Sequence, residues 1–165
     1  MNIGNPFVFG IIGDRVKEWN DNKSSNDGYF ALCVYSEVFP KTVVRTPLDA
    51  ALKEVLATLK SIPEDDNLSL LDYPTLFNTL YYRVYPMDGE KDYRFLLSPL
   101  SMEGENFRVF VVKGKGETVV VGTEFVLDGE RINFDETKVC GMRVSEDEMK
   151  SIVDGIDTVL CRQAY

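Results

Sequence analysis

The sequence predicts an α+β fold: an antiparallel sheet, read as a meander, with two or three helices packed on it. Three observations carry this expectation. Short runs rich in aromatic and β-branched residues recur between polar or glycine-bearing turns. Two segments place apolar side chains at helical spacing behind clear start signals. After Pro86 the chain reads strand upon strand until its final helix. At 165 residues the chain suits one domain, residues 1–165, burying roughly 70% of its unfolded surface. No repeat, low-complexity tract or linker divides it.

Phe7 to Gly13 reads as the first strand and Tyr29 to Tyr35 as the second, joined as a hairpin across the polar segment Asn20–Gly28. Val38-Phe39 and Val43-Val44 are candidate edge pieces. A helix opens at Thr46-Pro47-Leu48-Asp49, with Thr46 as the expected N-cap, Pro47 at the first helical position and Asp49 completing a capping-box pattern. Leu48, Leu52, Val55, Leu56 and Leu59 form its apolar stripe, and Pro63 with Glu64-Asp65-Asp66 closes it. A shorter helix starts at Pro74 and carries Leu76, Phe77, Leu80 and Tyr81. Strands are expected over Tyr93–Leu97, Phe107–Val112, Thr118–Leu127 and Arg131–Phe134, with turns at Gly114-Lys115-Gly116 and Asp128-Gly129. The last helix starts at the capping box Ser145-x-x-Glu148, where Glu146 and Asp147 complement the helix dipole. Met149, Ile152, Val153, Ile156, Val159 and Leu160 line one of its faces.

The chain has no histidine and a formal charge of −9. Histidine serves most general acid–base and metal sites near neutral pH, so the usual triads and zinc sites are closed to this protein. The acidity is spread evenly: residues 1–82 hold 7 Lys/Arg against 11 Asp/Glu, and residues 83–165 hold 11 against 16. An acidic folded surface repels nucleic acid and anionic membranes and attracts basic partners. No run reaches the roughly 18 apolar residues of a membrane span, and Met1–Pro6 lacks a secretory signal. Cys33, Cys140 and Cys161 form no CxxC pair and are expected as free thiols of a cytoplasmic protein.

The candidate motifs have structural readings. Gly114-Lys115-Gly116-Glu117-Thr118 has the residues of a phosphate loop without its spacing, and a strand follows it, so a hairpin turn is expected. Asp21–Gly28 resembles a calcium loop, but Lys23 interrupts the acidic alternation and no glutamate stands at the twelfth position. Cys33 sits among apolar neighbours with no base, which suits a core thiol. No metal site, catalytic residue or cofactor is predicted. The carboxylate clusters are Glu64-Asp65-Asp66, Asp88/Glu90/Asp92, Glu103/Glu105 and Asp135-Glu136. All lie in turn-like stretches, where a solvated surface or a face for a basic partner is expected. The candidate partner-binding residues are Glu64, Asp65, Asp66, Asp88, Glu90, Asp92, Glu103 and Glu105.

The opening residues add a resemblance. Ile3-Gly4-Asn5-Pro6, then Phe7-Val8-Phe9-Gly10-Ile11, Trp19 and Gly28-Tyr29-Phe30 resemble bacterial immunity proteins of polymorphic and contact-dependent toxin systems, in particular the immunity protein 42 family. Asn5 stands where family members commonly carry aspartate. The resemblance extends to the end of the first helix. It implies a cytosolic protein made alongside a toxin, which binds the toxin's C-terminal domain and blocks its active site or substrate surface. The expected toxin is a basic nuclease, toward which an acidic inhibitor would be steered. The resemblance brings no catalytic residue; Gly4, Pro6, Trp19 and Gly28 carry over as fold-determining positions. Two other functions remain open from the residues: a phosphate-mimicking regulator of another nucleic-acid enzyme, and a small carboxylate-dependent enzyme or ligand-binding module.

Overall fold

The computed structural model describes residues 1–20 and 26–163. The chain opens with an antiparallel meander, β1 (Asn2–Asn5), β2 (Phe9–Arg15), β3 (Asp27–Val34) and β4 (Glu37–Phe39), and β5 (Arg45–Pro47) also pairs with β3. The expected hairpin is present, registered from Phe9↔Val34 to Arg15↔Gly28. Its first strand starts later than the residues suggested. Asn5 accepts from the N–H of Phe7, and Val8 N–H bonds the Asn5 carbonyl, so Pro6 to Val8 turn the chain instead of extending it. Residues 21–25 of the calcium-like segment lie outside the described residues, and its last two, Asp27 and Gly28, begin β3.

Helix α1 (Leu48–Lys60) buries Leu48, Ala51, Leu52, Val55 and Leu59, the expected stripe with Ala51 added and Leu56 only partly buried at its edge. Its cap differs from expectation. Thr46 lies buried within β5, paired with Gly28, and its hydroxyl donates to the Val44 carbonyl. A residue held extended by a strand ladder cannot also turn its side chain onto a helix start. Pro47 takes the cap position with no side-chain bond, and Asp49 accepts from Asn26 at 2.6 Å. A single turn, α2 (Asp66–Ser69), follows, capped by Asp65. Then comes α3 (Tyr73–Val84), capped by Asp72 with proline in its first turn.

The segment Tyr93–Leu97, expected as a strand, is a 3-10 turn over Tyr93–Phe95 that keeps one bridge, Leu96↔Phe110. Asp92 accepts from the N–H of Arg94, which starts the turn before a ladder can form. Strands β6 (Phe107–Lys113) and β7 (Glu117–Glu124) form the next hairpin, and β8 (Val126–Asp128) with β9 (Arg131–Asn133) forms a separate one. The single run Thr118–Leu127 therefore splits at Phe125, which is buried against Tyr81 while its N–H donates to Asn106. An unforeseen strand, β10 (Cys140–Ser145), pairs with β7, giving the order β10-β7-β6. Helix α4 (Glu146–Gln163) begins with the expected reciprocal Ser145–Glu148 capping box.

The β10-β7-β6 sheet is the middle layer. Phe107, Val109, Val111, Val120 and Val144 share one core with the first sheet, α1 and α4. Phe110, Val112, Val119 and Val121 share the other with Leu76, Phe77 and Leu80 of α3. Successive strand residues point to opposite faces, so the unbroken runs Val109–Val112 and Val119–Val121 fill both cores. Each such side chain contributes roughly 1.5–3 kcal/mol by leaving water. Among the described residues no helix is long and apolar enough to cross a membrane.

Candidate functional site

The eight carboxylates singled out in the sequence fall at two places on the middle sheet. Glu64, Asp65 and Asp66 stand beside Lys113, where β6 ends. There Lys113 N–H bonds the Pro63 carbonyl and Asp65 N–H bonds that of Lys113. Glu103 and Glu105 precede β6 at its other end, about 20 Å away by strand rise. The loop carrying Asp88, Glu90 and Asp92 is brought to them. Glu103 accepts from the Tyr93 hydroxyl at 3.2 Å and lies 3.7 Å from Lys91.

Arg108, only 6% exposed, builds that second place. Its Nε donates to the Tyr85 hydroxyl at 3.0 Å. Its Nη atoms donate to the carbonyls of Glu103, Glu105 and Phe107 at 2.5–2.7 Å. The guanidinium carbon lies 5.3 Å from both the Tyr85 and Phe125 ring centres. A buried cation is tolerated because every bond it makes ends on an oxygen and both flanking rings offer π faces. Burial pushes the Tyr85 phenol well above the usual tyrosine range, against the opposing pull of Arg108, so it stays protonated. This cluster pins the turn 103–106 to the start of β6.

Ion pairing then divides the carboxylates. Glu64 pairs with Lys113, Asp65 with Arg83, Asp66 with Lys115, Asp92 with Arg94 and Glu103 with Lys91. The Arg94 side chain holds Asp92 below the usual carboxylate range, helped by the Arg94 N–H. Asp88, Glu90 and Glu105 have no ion pair among the described residues. The fourth cluster, Asp135-Glu136, starts a 3-10 turn that Asp135 caps through the hydroxyl and N–H of Thr137. Cys33 is buried, and burial raises its thiol, as suits a core residue. Among the described residues no group of three His, Cys, Asp or Glu side chains is placed to hold a metal ion.

A further feature stands at the same end. The β8–β9 hairpin leaves β7 at Phe125, whose N–H donates to Asn106 of the pinned turn. Its base is fixed to α3: Ile132 N–H donates to the Tyr82 hydroxyl, and Phe134 packs edge-on against Phe77 at 5.2 Å. Every residue of β8 is exposed, Val126 at 65% and Leu127 at 53%. Between β4, the end of β7 and the turn that leads from the hairpin into β10 runs a groove of about 430 Å³ lined by Glu37, Phe39, Lys41, Glu124, Asp135 and Cys140. Val126 and Leu127 were hidden in the sequence because they extend an apolar run that otherwise belongs to the core. The one signal available was their bracketing by Glu124 and Asp128.

These features define an α+β protein with a carboxylate-bearing end at the start of β6. The family model of immunity protein 42 matches residues 1–159. The chain belongs to the immunity protein 42 family. The fold is similar to the crystal structure of CdiI from Burkholderia dolosa AUO158, with a TM-score of 0.75 and 18% identity, covering 96% of this chain and 99% of that one. No curated protein matches the sequence. The N-terminal residues that carried the resemblance have structural work in the fold: Gly4 takes φ +79° and Gly28 sits against Asp14 across the β2–β3 ladder.

Proposed function

We propose that this immunity protein neutralises its toxin in the cytoplasm as a stoichiometric, non-enzymatic inhibitor. It binds the toxin's C-terminal domain through an acidic surface and occludes its active site or substrate surface. The target is a basic nuclease of a contact-dependent inhibition system. The observation that carries this reading is the joining of family membership to a charge of −9. Nucleases are basic because they bind phosphate backbones, and complementary charge accelerates encounter with such a partner. Within the singled-out carboxylates, Asp88, Glu90 and Glu105 are the ones whose charge is unspent and would face the toxin. Asp92 and Glu103 form the rim beside them. Glu64, Asp65 and Asp66, at the far end and each matched by a cation, act through the overall field. Co-expression with the toxin domain encoded beside it should restore growth, and the two chains should co-elute on gel filtration. Continued growth arrest together with separate elution would overturn the proposal.

A further inference from the structure

We infer that the β8–β9 hairpin is the docking element for the toxin domain, engaging a patch of the toxin where basic residues surround apolar ones; this rests on the immunity reading above. Residues 124–138 carry Glu124, Asp128, Glu130, Asp135 and Glu136 against Arg131 and Lys138, a net charge of −3. A third of the protein's excess charge thus sits on 15 residues. None of these five carboxylates has an ion pair among the described residues, whereas five of the eight carboxylates singled out earlier are matched by a neighbouring cation. Charge already compensated within a chain has little field left for a partner, so the hairpin joins Asp88, Glu90 and Glu105 among the places where the acidity acts outward.

Apolar exposure points to the same element. Adjacent strand residues face opposite sides, so exposure of both Val126 and Leu127 means that neither face of β8 is covered. β8 thus presents one exposed aliphatic side chain on each face, with Glu124, Asp128 and Glu130 close to them along the chain, the mixture of apolar and charged groups that interfaces use. A two-stranded hairpin is marginal by itself. This one is held from beneath by Tyr82 and Phe77, so it meets a partner already ordered and loses little entropy on binding. Its root at Phe125 and Asn106 joins it to the pinned turn bearing Glu105, which makes one continuous acidic end.

The test titrates the purified full chain with the adjacent toxin domain by calorimetry at physiological salt. Three variants are compared: Val126→Asp/Leu127→Asp; Glu124→Lys/Asp128→Lys/Glu130→Lys; and a control of equal net charge to the second, Glu18→Lys/Asp147→Lys/Asp154→Lys. Circular dichroism and melting establish that each is folded. The two hairpin variants should each weaken binding by roughly thirtyfold or more, and the control by less than about threefold. Wild-type binding with both hairpin variants within about threefold of it overturns the hairpin assignment and leaves the immunity reading standing. A wild-type chain that neither binds nor protects overturns that reading and the assignment with it. Sedimentation of the chain alone adds one more outcome: a dimer dissociated by Val126→Asp/Leu127→Asp would give this face to a second copy and overturn the assignment.

Discussion

The Nε–H of Arg108 donates to the Tyr85 hydroxyl at 3.0 Å while the guanidinium carbon lies 5.3 Å from the centre of the same ring. One side chain thereby joins the end of α3 to the turn 103–106, because its remaining donors end on the Glu103, Glu105 and Phe107 carbonyls. Replacing it leaves those buried acceptors unmet. Arg108→Met should lower stability by about 2–4 kcal/mol in urea unfolding. Arg108→Lys should recover little of this, since an ammonium lacks the planar fork that reaches several oxygens at once. Tyr85→Phe removes one bond only and should cost about 1 kcal/mol. Full stability in Arg108→Lys would show that charge alone is needed there.

Two glycines of the N-terminal segment should resist substitution for different reasons. At Gly4 the backbone has φ +79°, and an added Cβ would stand 2.7 Å from the Phe9 carbonyl oxygen. Gly4→Ala should therefore cost about 1–2 kcal/mol for the left-handed backbone, with the clash added. At Gly28 an added Cβ would collide with the Asp14 carbonyl across the β2–β3 ladder. Gly28→Ala should destabilise by about 1–3 kcal/mol, as overpacking does. Melting curves indistinguishable from wild type would remove both from the fold-determining set.

Acid should weaken the fold through carboxylates that cap turns. Asp72 lies below its ordinary value of 3.8, chiefly because it accepts from Thr75 N–H and also from the Thr75 hydroxyl. Asp135 is lowered by the Thr137 hydroxyl and N–H, and Asp92 by the Arg94 side chain first. Such groups bind protons more tightly in the unfolded chain. Their contribution is complete above pH 3.8 and is lost as pH falls through the lower folded values. The melting temperature should drop below about pH 4, and Asp72→Asn should reduce that drop while keeping an acceptor at the cap. An unchanged acid slope in Asp72→Asn would assign it to other groups.

Toxin binding should be steady across neutral pH. With no histidine in the chain, no side chain here has an unperturbed pKa between about pH 6 and 8. Affinity in that window should change by less than about twofold unless the toxin supplies the titrating group. It should fall as salt rises, mainly through a slower association rate. Stopped-flow association measured against salt checks the second point. A rate insensitive to salt would remove the electrostatic part of the proposal.

Local chemistry wrote much of this fold legibly. The β2–β3 hairpin, the apolar stripe of α1 and the Ser145–Glu148 capping box depend on neighbours a few residues apart, and each stands where the residues indicate. The acidic clusters were legible as composition too. Whether their charge was available was not. Lys113, Arg83 and Lys115 reach Glu64, Asp65 and Asp66 from elements distant in the chain. Thr46 likewise reads as a cap until pairing with Gly28 makes it a strand residue.

By itself the sequence determined that this is an acidic α+β protein of the immunity protein 42 family without histidine chemistry. Only the tertiary structure decided which carboxylates keep their charge and that Val126 and Leu127, continuous in sequence with the core strand Glu117–Glu124, leave it. The physical reason is that composition and periodicity are properties of neighbours along the chain. Ion pairing and burial are properties of neighbours in space, set when β6, β7 and α3 close around Arg108 and Phe125.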